Sequence, residues 1–539
     1  MADALFAQKK FLVVDDFADM RSLLRGILYA IEAQHVDLAA NGSEALTRMS
    51  KKRYDVVLCD YNLGPGKDGQ QLLEEARHRE LLGIDSIFIM VTAENAREMV
   101  MAAVEYFPDS YLTKPFTAEL LRTRLRKLFD KKANLSNVNR ALTTKNYARA
   151  ISELDQLMVT SPKYKADYQK LKADICIRAM RYDKALRIYQ DVLSVRDLSW
   201  AHLGVGKVQF LQKKYAQAES TLKELIEHDR TLTEAYDYLA RAQLAQSRYS
   251  EAEKTLDDAT KISPRGFQRQ VMLAEVATAN GEPEKAETAY RKAISVGKQS
   301  MKMQPAIHAG LAKALAANGR HTEALEVAGR ISRNFPSHPQ AQLYQATTTV
   351  LVKSDEGDEE GAAKALEGVE KAMKNLDPAS ISANMGLELV KTYAKLGHKD
   401  KASEVLHTVV ANNHDDDIFI AEVKSACTNL DLGEIDDASI NNIQQNVVKT
   451  NNKGVQLIQQ GQFDQAIELL HQAADGLPGN RTVNLNAAKA LILKMQKQGA
   501  KHEELQQVRA YVDRVRHNGP EDWRLIEVTN QLQKLVPTD

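Results

Sequence analysis

The chain has 539 residues and a mass of 60.1 kDa, more than one hydrophobic core normally holds, so we expect about three or four domains, or one domain followed by a repeat array. Lys plus Arg and Asp plus Glu each number 72, and this balance leaves no net positive charge to neutralise phosphates, so no nucleic-acid partner is expected. Cys59, Cys176 and Cys427 lie far apart without CxxC spacing, which predicts neither a disulfide framework nor a thiolate zinc site.

The N-terminal segment and the distribution of apolar residues bear on localisation. The first ten residues, MADALFAQKK, lack the apolar core of a signal peptide. No run of the sequence approaches the roughly 18 apolar residues that a membrane-spanning helix needs. We therefore expect no membrane insertion and a cytoplasmic location.

The first quarter of the chain alternates short apolar runs with amphipathic segments. Between residues 10 and 130 the apolar runs are KFLVV, YDVVLCD, SIFIMVT and SYLTK, and FADMRSLLRGILYAIE is an amphipathic segment. Strands that alternate with helices predict βαβ units and a parallel sheet. Beyond residue 135, alanine-rich segments of helical period continue to the C-terminus. The sequence predicts an α/β domain with a parallel sheet, followed by an all-α part.

Polar side chains stand where the predicted strands end. Asp15 and Asp16 follow the first strand, and Asp60, Thr92 and Lys114 end later ones. The carboxyl ends of parallel strands converge on one crevice. Three carboxylates brought together there repel one another unless a cation is present, and oxygen ligands suit Mg²⁺. With a lysine and a hydroxyl available for phosphate, the pattern predicts a magnesium site for phosphoryl transfer.

The motifs VVDD, VVLCD, MVTA and Lys114-Pro115 resemble the receiver domain of bacterial two-component response regulators, over about residues 9–130. The resemblance implies a flavodoxin-like α/β fold, a doubly wound parallel sheet of five strands. It implies Asp60 as the phosphoacceptor and Lys114 binding the phosphoryl oxygens. It also implies that Thr92 and Tyr111 are switch residues and that Pro115 follows a cis peptide bond.

The same resemblance implies the ligands of the metal. Asp16 and Asp60 are direct ligands of Mg²⁺, Asp15 is a ligand through water, and Asn62 contributes its backbone carbonyl. The loop after Asp60 reads YNLGPGKDG and departs from the family, with proline one place late and one extra residue before Gly69. This difference bears on loop geometry or partner contact without removing a ligand.

In the helical part, segments built as an aromatic residue, two variable residues and alanine recur. Successive segments are 33 to 38 residues apart, close to the period of about 34 residues of tetratricopeptide helix pairs. The pattern resembles the tetratricopeptide repeat family, which implies a superhelical solenoid that binds proteins in its concave groove. The segments YARA, YDKA, YAQA, YSEA, PEKA and HTEA end at Ala150, Ala185, Ala218, Ala252, Ala286 and Ala324.

Later repeats are degenerate. KDKA ends at Ala402 and FDQA at Ala466, with a weak repeat expected at Ala438, and we expect the acidic segment 354–361 to be an insertion. The last helices are expected to close the array with a polar outer face. The predicted domains are a receiver at 1–131, a helical linker at 132–145, tetratricopeptide-like repeats at 146–478 and capping helices at 479–539.

The repeat resemblance also implies which first-helix residues face the groove, although Trp200 has packing between repeats as an equal alternative. The groove-facing candidates are Trp200, Lys207, Phe210, Glu234, Asp237 and Arg241.

The two resemblances together imply a response regulator phosphorylated on an aspartate by a sensor histidine kinase or a phosphotransfer protein. Its output is protein binding by the repeats, with a target that the sequence does not name. One alternative is a protein that inhibits its cognate kinase or competes for phosphoryl groups in a phosphorelay. A remote alternative is enzymatic output from residues 410–450, where NHDDD is a polar cluster. We expect no enzyme activity beyond self-directed phosphoryl transfer and loss of the aspartyl phosphate.

Overall fold

The computed structural model of the chain describes residues 4–92, 108–376, 381–430, 437–518, 522–533 and 535. The chain forms two compact units. The first comprises Met1–Leu239, Thr255–Gln270 and Ala293–Met303, and the second comprises Ala240–Lys254, Val271–Lys292 and Gln304–Asp539.

The first unit begins with a sheet of five parallel strands in the order β2-β1-β3-β4-β5. This confirms the predicted α/β domain with its parallel sheet. The strands are Lys10–Val14 (β1), His35–Ala39 (β2), Val56–Asp60 (β3), Ile87–Thr92 (β4) and Ser110–Thr113 (β5).

Helices cover both faces of this sheet. Successive residues of a strand point to opposite faces, so Leu12 joins one buried cluster and Val13 the other. The cluster around Leu12 includes α3 and α4, and that around Val13 includes α2 and α5. The described helices here are Ala4–Ala7 (α1), Ala18–Ala30 (α2), Gly42–Lys51 (α3), Gly69–His78 (α4) and Ala118–Lys132 (α5).

The rest of the described chain is helical, as predicted. Up to residue 297 the helices are Ser136–Thr143 (α6), Tyr147–Thr160 (α7), Lys165–Arg178 (α8), Tyr182–Leu193 (α9), Ser199–Leu211 (α10), Tyr215–His228 (α11), Thr233–Leu244 (α12), Tyr249–Ile262 (α13), Phe267–Ala279 (α14) and Pro283–Gly297 (α15), with a 3₁₀ turn at Pro162–Tyr164.

Further helices follow in the second unit. They are Pro305–Ala317 (α16), His321–Gly329 (α17), Ile331–Asn334 (α18), Ala341–Glu356 (α19), Glu359–Lys374 (α20), Ala383–Lys395 (α21), Lys399–Asn412 (α22), Asp417–Leu430 (α23), Asp437–Gln459 (α24), Phe463–Gly476 (α25), Arg481–Gln498 (α26), His502–Asn518 (α27) and Trp523–Gln533 (α28).

The repeat motif marks the second helix of each pair. Each of the motif's first residues, such as Tyr147 and Phe463, begins a helix. The alanine three positions later is fully buried, because only a small side chain fits where neighbouring helices approach closely. This pattern confirms the predicted repeats. The buried alanines are Ala150, Ala185, Ala218, Ala252, Ala286, Ala324, Ala402 and Ala466.

Two expectations for the later repeats were wrong. The acidic segment 354–361 is no insertion, because α19 ends at Glu356 and α20 begins at Glu359, after Gly357 in the left-handed conformation with φ 86°. Ala362 is fully buried and holds the motif position of a repeat whose helix begins with Glu359 instead of an aromatic residue. Ala438, in contrast, is exposed on the long helix α24 and marks no repeat.

The segment between the sheet domain and the repeats belongs to the packed structure. Helix α6 lies within the segment 132–145, and its Val138 and Ala141 are buried in the same cluster as Leu154 of α7. Ile84, from the loop before β4, packs against this cluster. The first repeat is therefore continuous with the sheet domain.

The last helices share one apolar cluster with the repeat helix α25. Leu470 of α25, Leu491 of α26, Val512 of α27 and Val528 of α28 are all buried in it. Each helix thus buries its apolar side on its neighbours, as stacking of repeats requires.

Across the described residues, no helix has both the length and the apolar character that crossing a membrane requires.

Gly204 of α10 tests the packing between repeats. A Cβ atom at this position would lie 2.3 Å from the ring of Tyr189 in α9, although alanine is the better helix former. We expect Gly204→Ala to destabilise the protein by about 1–3 kcal/mol because the overpacked ring must shift. Thermal unfolding followed by circular dichroism measures the effect.

Gly368→Ala is the matched control. Its Cβ would meet only the Cβ of Ala346, at 3.7 Å, so the helix gains about 0.5–1 kcal/mol. A Gly204→Ala protein at least as stable as the unchanged one contradicts this account of the repeat interface.

Candidate functional site

The parallel sheet brings the predicted site residues to one edge. Asp15 follows β1, Asp60 ends β3, Thr92 ends β4 and Lys114 follows β5. One carboxylate oxygen from each of Asp15, Asp16 and Asp60 lies within 4.8 Å of the others, and within the described residues this is the one group of His, Cys, Asp or Glu close enough to share a metal.

Lys114 holds two of these carboxylates. Its Nζ donates to Oδ2 of Asp15 at 2.8 Å and to Oδ2 of Asp60 at 3.0 Å. Burial alone lowers the pKa of the Lys114 ammonium, but its hydrogen bonds to both carboxylates outweigh burial and the pKa is raised. Burial raises the pKa of Asp60, and Lys114 opposes this effect without cancelling it. The lysine is therefore firmly charged beside a carboxylate held in a poorly solvated place.

The backbone around the two adjacent aspartates is fixed by a residue that the sequence analysis missed. Nη1 of Arg21 donates to the carbonyl oxygens of Asp15 at 2.7 Å and Asp16 at 3.0 Å. Oδ1 of Asp15 accepts from the backbone N–H of Phe17 at 2.9 Å. The signal available in the sequence was the position of Arg21 near the start of the helix that follows Asp15.

Asp16 has the feature that best fits a metal ion. Its Oδ1 is buried and accepts no hydrogen bond from a described residue, and a buried carboxylate oxygen without a partner is costly. A hard cation among carboxylate oxygens satisfies such an atom. The residues that would hold it are Asp15, Asp16 and Asp60, all oxygen donors, with Asn62 on the adjoining loop. The acidic pocket therefore suits a divalent cation.

The two predicted switch residues lie at the same end of the sheet. Thr92 is largely buried, and its carbonyl oxygen accepts from the backbone N–H of Lys114 at 2.8 Å. The ring of Tyr111 packs against the cluster that contains Met90. Its hydroxyl is buried with no hydrogen-bond partner in the part of the chain that the structure describes, and burial raises its pKa. The peptide bond between Lys114 and Pro115 is cis, as the resemblance implied.

The loop after Asp60 is closed on itself. The N–H of Gly69 donates to the carbonyl of Tyr61 at 2.8 Å, and a Cβ at Gly69 would lie 2.3 Å from the carbonyl oxygen of Asp60. Only glycine permits this close approach. Asp68 caps α4 by accepting from the N–H of Gln71 at 2.8 Å, in a capping box. These contacts therefore tie the loop and the start of α4 to the end of β3.

Most of the predicted groove residues contact other side chains of the repeats. Trp200 packs edge-on against Tyr189, with ring centroids 6.0 Å apart, which is the packing alternative. Nζ of Lys207 lies 3.0 Å from Oε1 of Glu234. Phe210 packs against an adjacent tyrosine ring, with centroids 5.6 Å apart.

The remaining two groove candidates lie on α12. Asp237 accepts from Nε and Nη2 of the buried Arg269 at 2.8 and 2.9 Å, and it therefore ties two repeats together. Arg241 is one turn further along the same helix. A binding role for all six groove candidates stays a prediction.

The polar cluster NHDDD makes structural contacts in the second unit. His414 is buried beside Asn480, with Nδ1 and Nδ2 of these residues 3.1 Å apart. Asp415 lies 3.8 Å from Arg481, and Asp416 accepts from the N–H of Phe419 at the start of α23 at 3.1 Å. These contacts join and cap helices and do not favour the enzymatic alternative for residues 410–450, of which 431–436 lie outside the described residues.

Known families match both parts of the chain. The response regulator receiver domain family matches residues 11–126, and tetratricopeptide repeat families match residues 209–276, 457–513 and 305–330. The second of these stretches extends past residue 478, into the predicted capping helices.

The similar proteins cover the sheet domain. Chemotaxis protein CheY-3 of Vibrio cholerae is 35% identical over 122 residues, which are 23% of this chain and 92% of that relative. Chemotaxis protein CheY of Pseudomonas aeruginosa is 33% identical over 122 residues, 23% of this chain and 97% of that relative. A solved structure of the chemotaxis response regulator CheY4 of Vibrio cholerae is 28% identical, with a TM-score of 0.21, and the match covers 22% of this chain and 98% of that one.

A doubly wound parallel sheet with three aspartates and a lysine at its carboxyl edge is the arrangement of a receiver domain. The chain belongs to the response regulator receiver family through residues 11–126 and carries tetratricopeptide repeats after them.

Lys114→Met tests how the carboxylates are held. The change leaves the fully buried Asp15 and the neighbouring Asp60 without their shared cation. We expect it to lower the opening free energy of the sheet by about 1–3 kcal/mol in the presence of a chelator, and a divalent cation to restore part of the loss. Hydrogen exchange of β1 and β3 measures this energy.

Arg48→Met is the control, because it removes a pair with Glu44 at 2.8 Å in which both side chains are more than a third exposed. We expect a loss below about 1 kcal/mol. If exchange in the Lys114→Met strands equals that of the unchanged protein, the lysine does not hold the carboxylates together.

Proposed function

We propose that this protein is a two-component response regulator that accepts a phosphoryl group on Asp60 and acts by binding another protein through its repeats. The observation that carries the proposal is the convergence of Asp15, Asp16 and Asp60 within 4.8 Å, with Lys114 bridging two of them. Phosphoryl transfer needs positioning and charge neutralisation more than covalent chemistry from the protein, and these residues supply both.

The donor in this proposal is the phosphohistidine of a sensor kinase or phosphotransfer protein. An Asp60 carboxylate oxygen attacks phosphorus, the new O–P bond forms as the P–N bond breaks, and the imidazole leaves with the bonding pair and takes up a proton. Lys114 then pairs with a phosphoryl oxygen in place of one carboxylate. When bound to Asp15, Asp16, Asp60 and the Asn62 carbonyl, Mg²⁺ supplies neutralisation of the charge that develops on the phosphoryl oxygens.

Two residues are placed to read the phosphoryl group. The Thr92 hydroxyl stands at the end of the strand next to that of Asp60 and offers a hydrogen bond to a phosphoryl oxygen. The hydroxyl of Tyr111 is buried and has no hydrogen-bond partner among the described residues. A rearrangement that brings a hydrogen-bond partner near this hydroxyl would move the ring. We assign these two residues the switch.

The output in this proposal lies in the repeats. The receiver relatives match 23% of the chain, and the helical part that follows has the architecture of a protein-binding array. The relatives are named chemotaxis proteins, and we carry over from them only signalling by the receiver. Asp60 phosphorylation itself is the enzyme-like step, and the repeats act by binding.

Labelling with acetyl phosphate tests the phosphoacceptor. We expect the full-length protein to gain one phosphoryl group in the presence of Mg²⁺ and none in the presence of a chelator, because the carboxylate cluster repels the anionic donor. Asp60→Asn is expected to stay unlabelled, as measured by intact-protein mass spectrometry.

Asp55→Asn is the matched control, since Asp55 lies in the same domain and pairs with Lys9 at 3.2 Å, away from the cluster. It should be labelled like the unchanged protein. Equal labelling of Asp60→Asn, or labelling that survives chelation unchanged, overturns the assignment.

A further inference from the structure

The loop that follows Asp60 and the start of α4 contact the repeats directly. The receiver residues are Lys67, Asp68, Gln71 and Glu74, and the repeat residues come from two segments of the first unit, Thr255–Gln270 and Ala293–Met303. The contacts join residues more than 190 positions apart in the chain. We call the repeat side of this contact, formed by Arg265, Val296, Gln299 and Lys302, the dock.

Two contacts of the dock cap a helix. Nζ of Lys67 donates to the carbonyl oxygen of Gln299 at 2.8 Å, and Nε2 of Gln71 donates to that of Val296 at 3.1 Å. Val296 lies in the last turn of α15, where carbonyl groups have no partner within the helix. The helix dipole places partial negative charge there, which favours a lysine ammonium. The receiver thus supplies the C-terminal cap of a repeat helix.

Two further contacts pair opposite charges across the same surface. Nζ of Lys302 lies 2.6 Å from Oε1 of Glu74, whose side chain is 11% exposed. Nη2 of Arg265 lies 3.8 Å from Oδ2 of Asp68. In both pairs the receiver supplies the carboxylate and the repeats supply the cation. The dock is therefore electrostatically complementary to the receiver loop.

The same loop touches the phosphorylation site. The Arg265 guanidinium carbon lies 5.9 Å from the ring centroid of Tyr61, the residue after Asp60. A Cβ at Gly64, which has φ +69°, would lie 2.9 Å from Oδ2 of Asp16. The loop therefore contacts the acidic cluster at one end and the dock at the other. The extra residue that sets this loop apart from the family lies in the stretch that reaches the dock.

We propose that the dock is an intramolecular docking surface through which the repeats sense the charge state of Asp60. This proposal deepens, and for its coupling rests on, the proposed phosphorylation of Asp60. The existence of the dock itself does not depend on phosphorylation.

The sign of the coupling follows from charge. A carboxylate carries one negative charge and its acyl phosphate carries about two at neutral pH, so phosphorylation adds negative charge at the start of the loop that contacts Arg265 and Lys302. The docked form is stabilised by this change. Because coupling is reciprocal, loss of the dock cations must weaken binding of a phosphoryl mimic at Asp60 by the same factor.

Hydrogen exchange of the full-length protein tests the dock without any ligand. Arg265→Glu and Lys302→Glu reverse the two dock cations. Arg187→Glu makes the same charge change at an exposed residue in the middle of α9 that forms no ion pair with a described residue. We expect faster exchange in residues 61–78 and 293–303 for the two dock variants and unchanged exchange in these segments for Arg187→Glu.

A charge swap provides the second readout. Glu74→Lys combined with Lys302→Glu restores an opposite pair across the contact, so exchange in both segments should return toward that of the unchanged protein. Equal exchange in all variants, or exchange in these segments that is faster in Arg187→Glu as well, overturns the dock.

Beryllofluoride with Mg²⁺, titrated onto the same proteins, tests the coupling. We expect the mimic to slow exchange in residues 293–303 of the unchanged protein. We expect Arg265→Glu to bind the mimic at least about fivefold more weakly, the lower end of typical coupling, while Arg187→Glu binds it like the unchanged protein. Binding with equal affinity in all variants overturns the coupling. Failure of the unchanged protein to bind the mimic, with the dock variants still exchanging faster, instead overturns the proposed phosphorylation and leaves the dock standing.

Discussion

The bond that the Lys114 ammonium makes to two carboxylates is the interaction on which the receiver depends. The sheet collects Asp15, Asp16 and Asp60 at one edge, with Asp15 fully buried. Like charges so close together must protonate, separate or share a cation. Lys114 meets this requirement for Asp15 and Asp60, and its own position is fixed because its N–H extends the ladder to the carbonyl of Thr92. Oδ1 of Asp16 is buried and has no hydrogen-bond partner among the described residues, and a bound metal ion would satisfy it.

In the repeats, the constraint that recurs from one helix pair to the next is the small space left for a side chain where helices meet. A buried alanine in the second helix of each pair lets its neighbours approach closely, and each pair buries its apolar side only on the next. Packing of this kind fixes each repeat relative to the next, so the position of a distant repeat follows from a series of contacts between neighbours. In the first unit it brings Arg265 and Lys302 to the loop that follows Asp60, although no local feature of the sequence links these residues.

The sequence was sufficient to predict the features that follow from a local pattern of residues. Apolar runs predicted β1, β3, β4 and β5, the residues at the ends of strands predicted the acidic cluster, and the spacing of the alanines predicted the repeats. Strand β2 has one buried residue, and it was expected only from the family resemblance. It failed where the pattern was broken or not local. The repeat at Ala362 was missed because Glu359 replaces the aromatic residue, and the acidic residues beside it suggested an insertion where the structure has a turn at Gly357. The contact between Lys67 and Gln299 joins residues 232 positions apart, a distance over which single-sequence periodicity carries no information.

The receiver contacts the repeats at two places, the junction that follows α5 and the dock. The loop after Asp60 is therefore held at the dock while the rest of the receiver is held at the junction. At the junction, Nζ of Lys163, in the turn before α8, lies 2.9 Å from Oδ2 of Asp130 in α5, and the N–H of Ile84 donates to Oδ1 of Asn139 of α6 at 3.2 Å. These bonds oppose movement of the whole receiver relative to the repeats when the conformation of the loop changes. A rearrangement at Asp60 cannot then be absorbed by movement of the receiver as a body, so it must be taken up at the dock or within the packed core. Packed cores resist continuous deformation, whereas the dock consists of partly exposed polar contacts. A change of charge at Asp60 therefore acts on the strength of the dock contacts before it deforms the core.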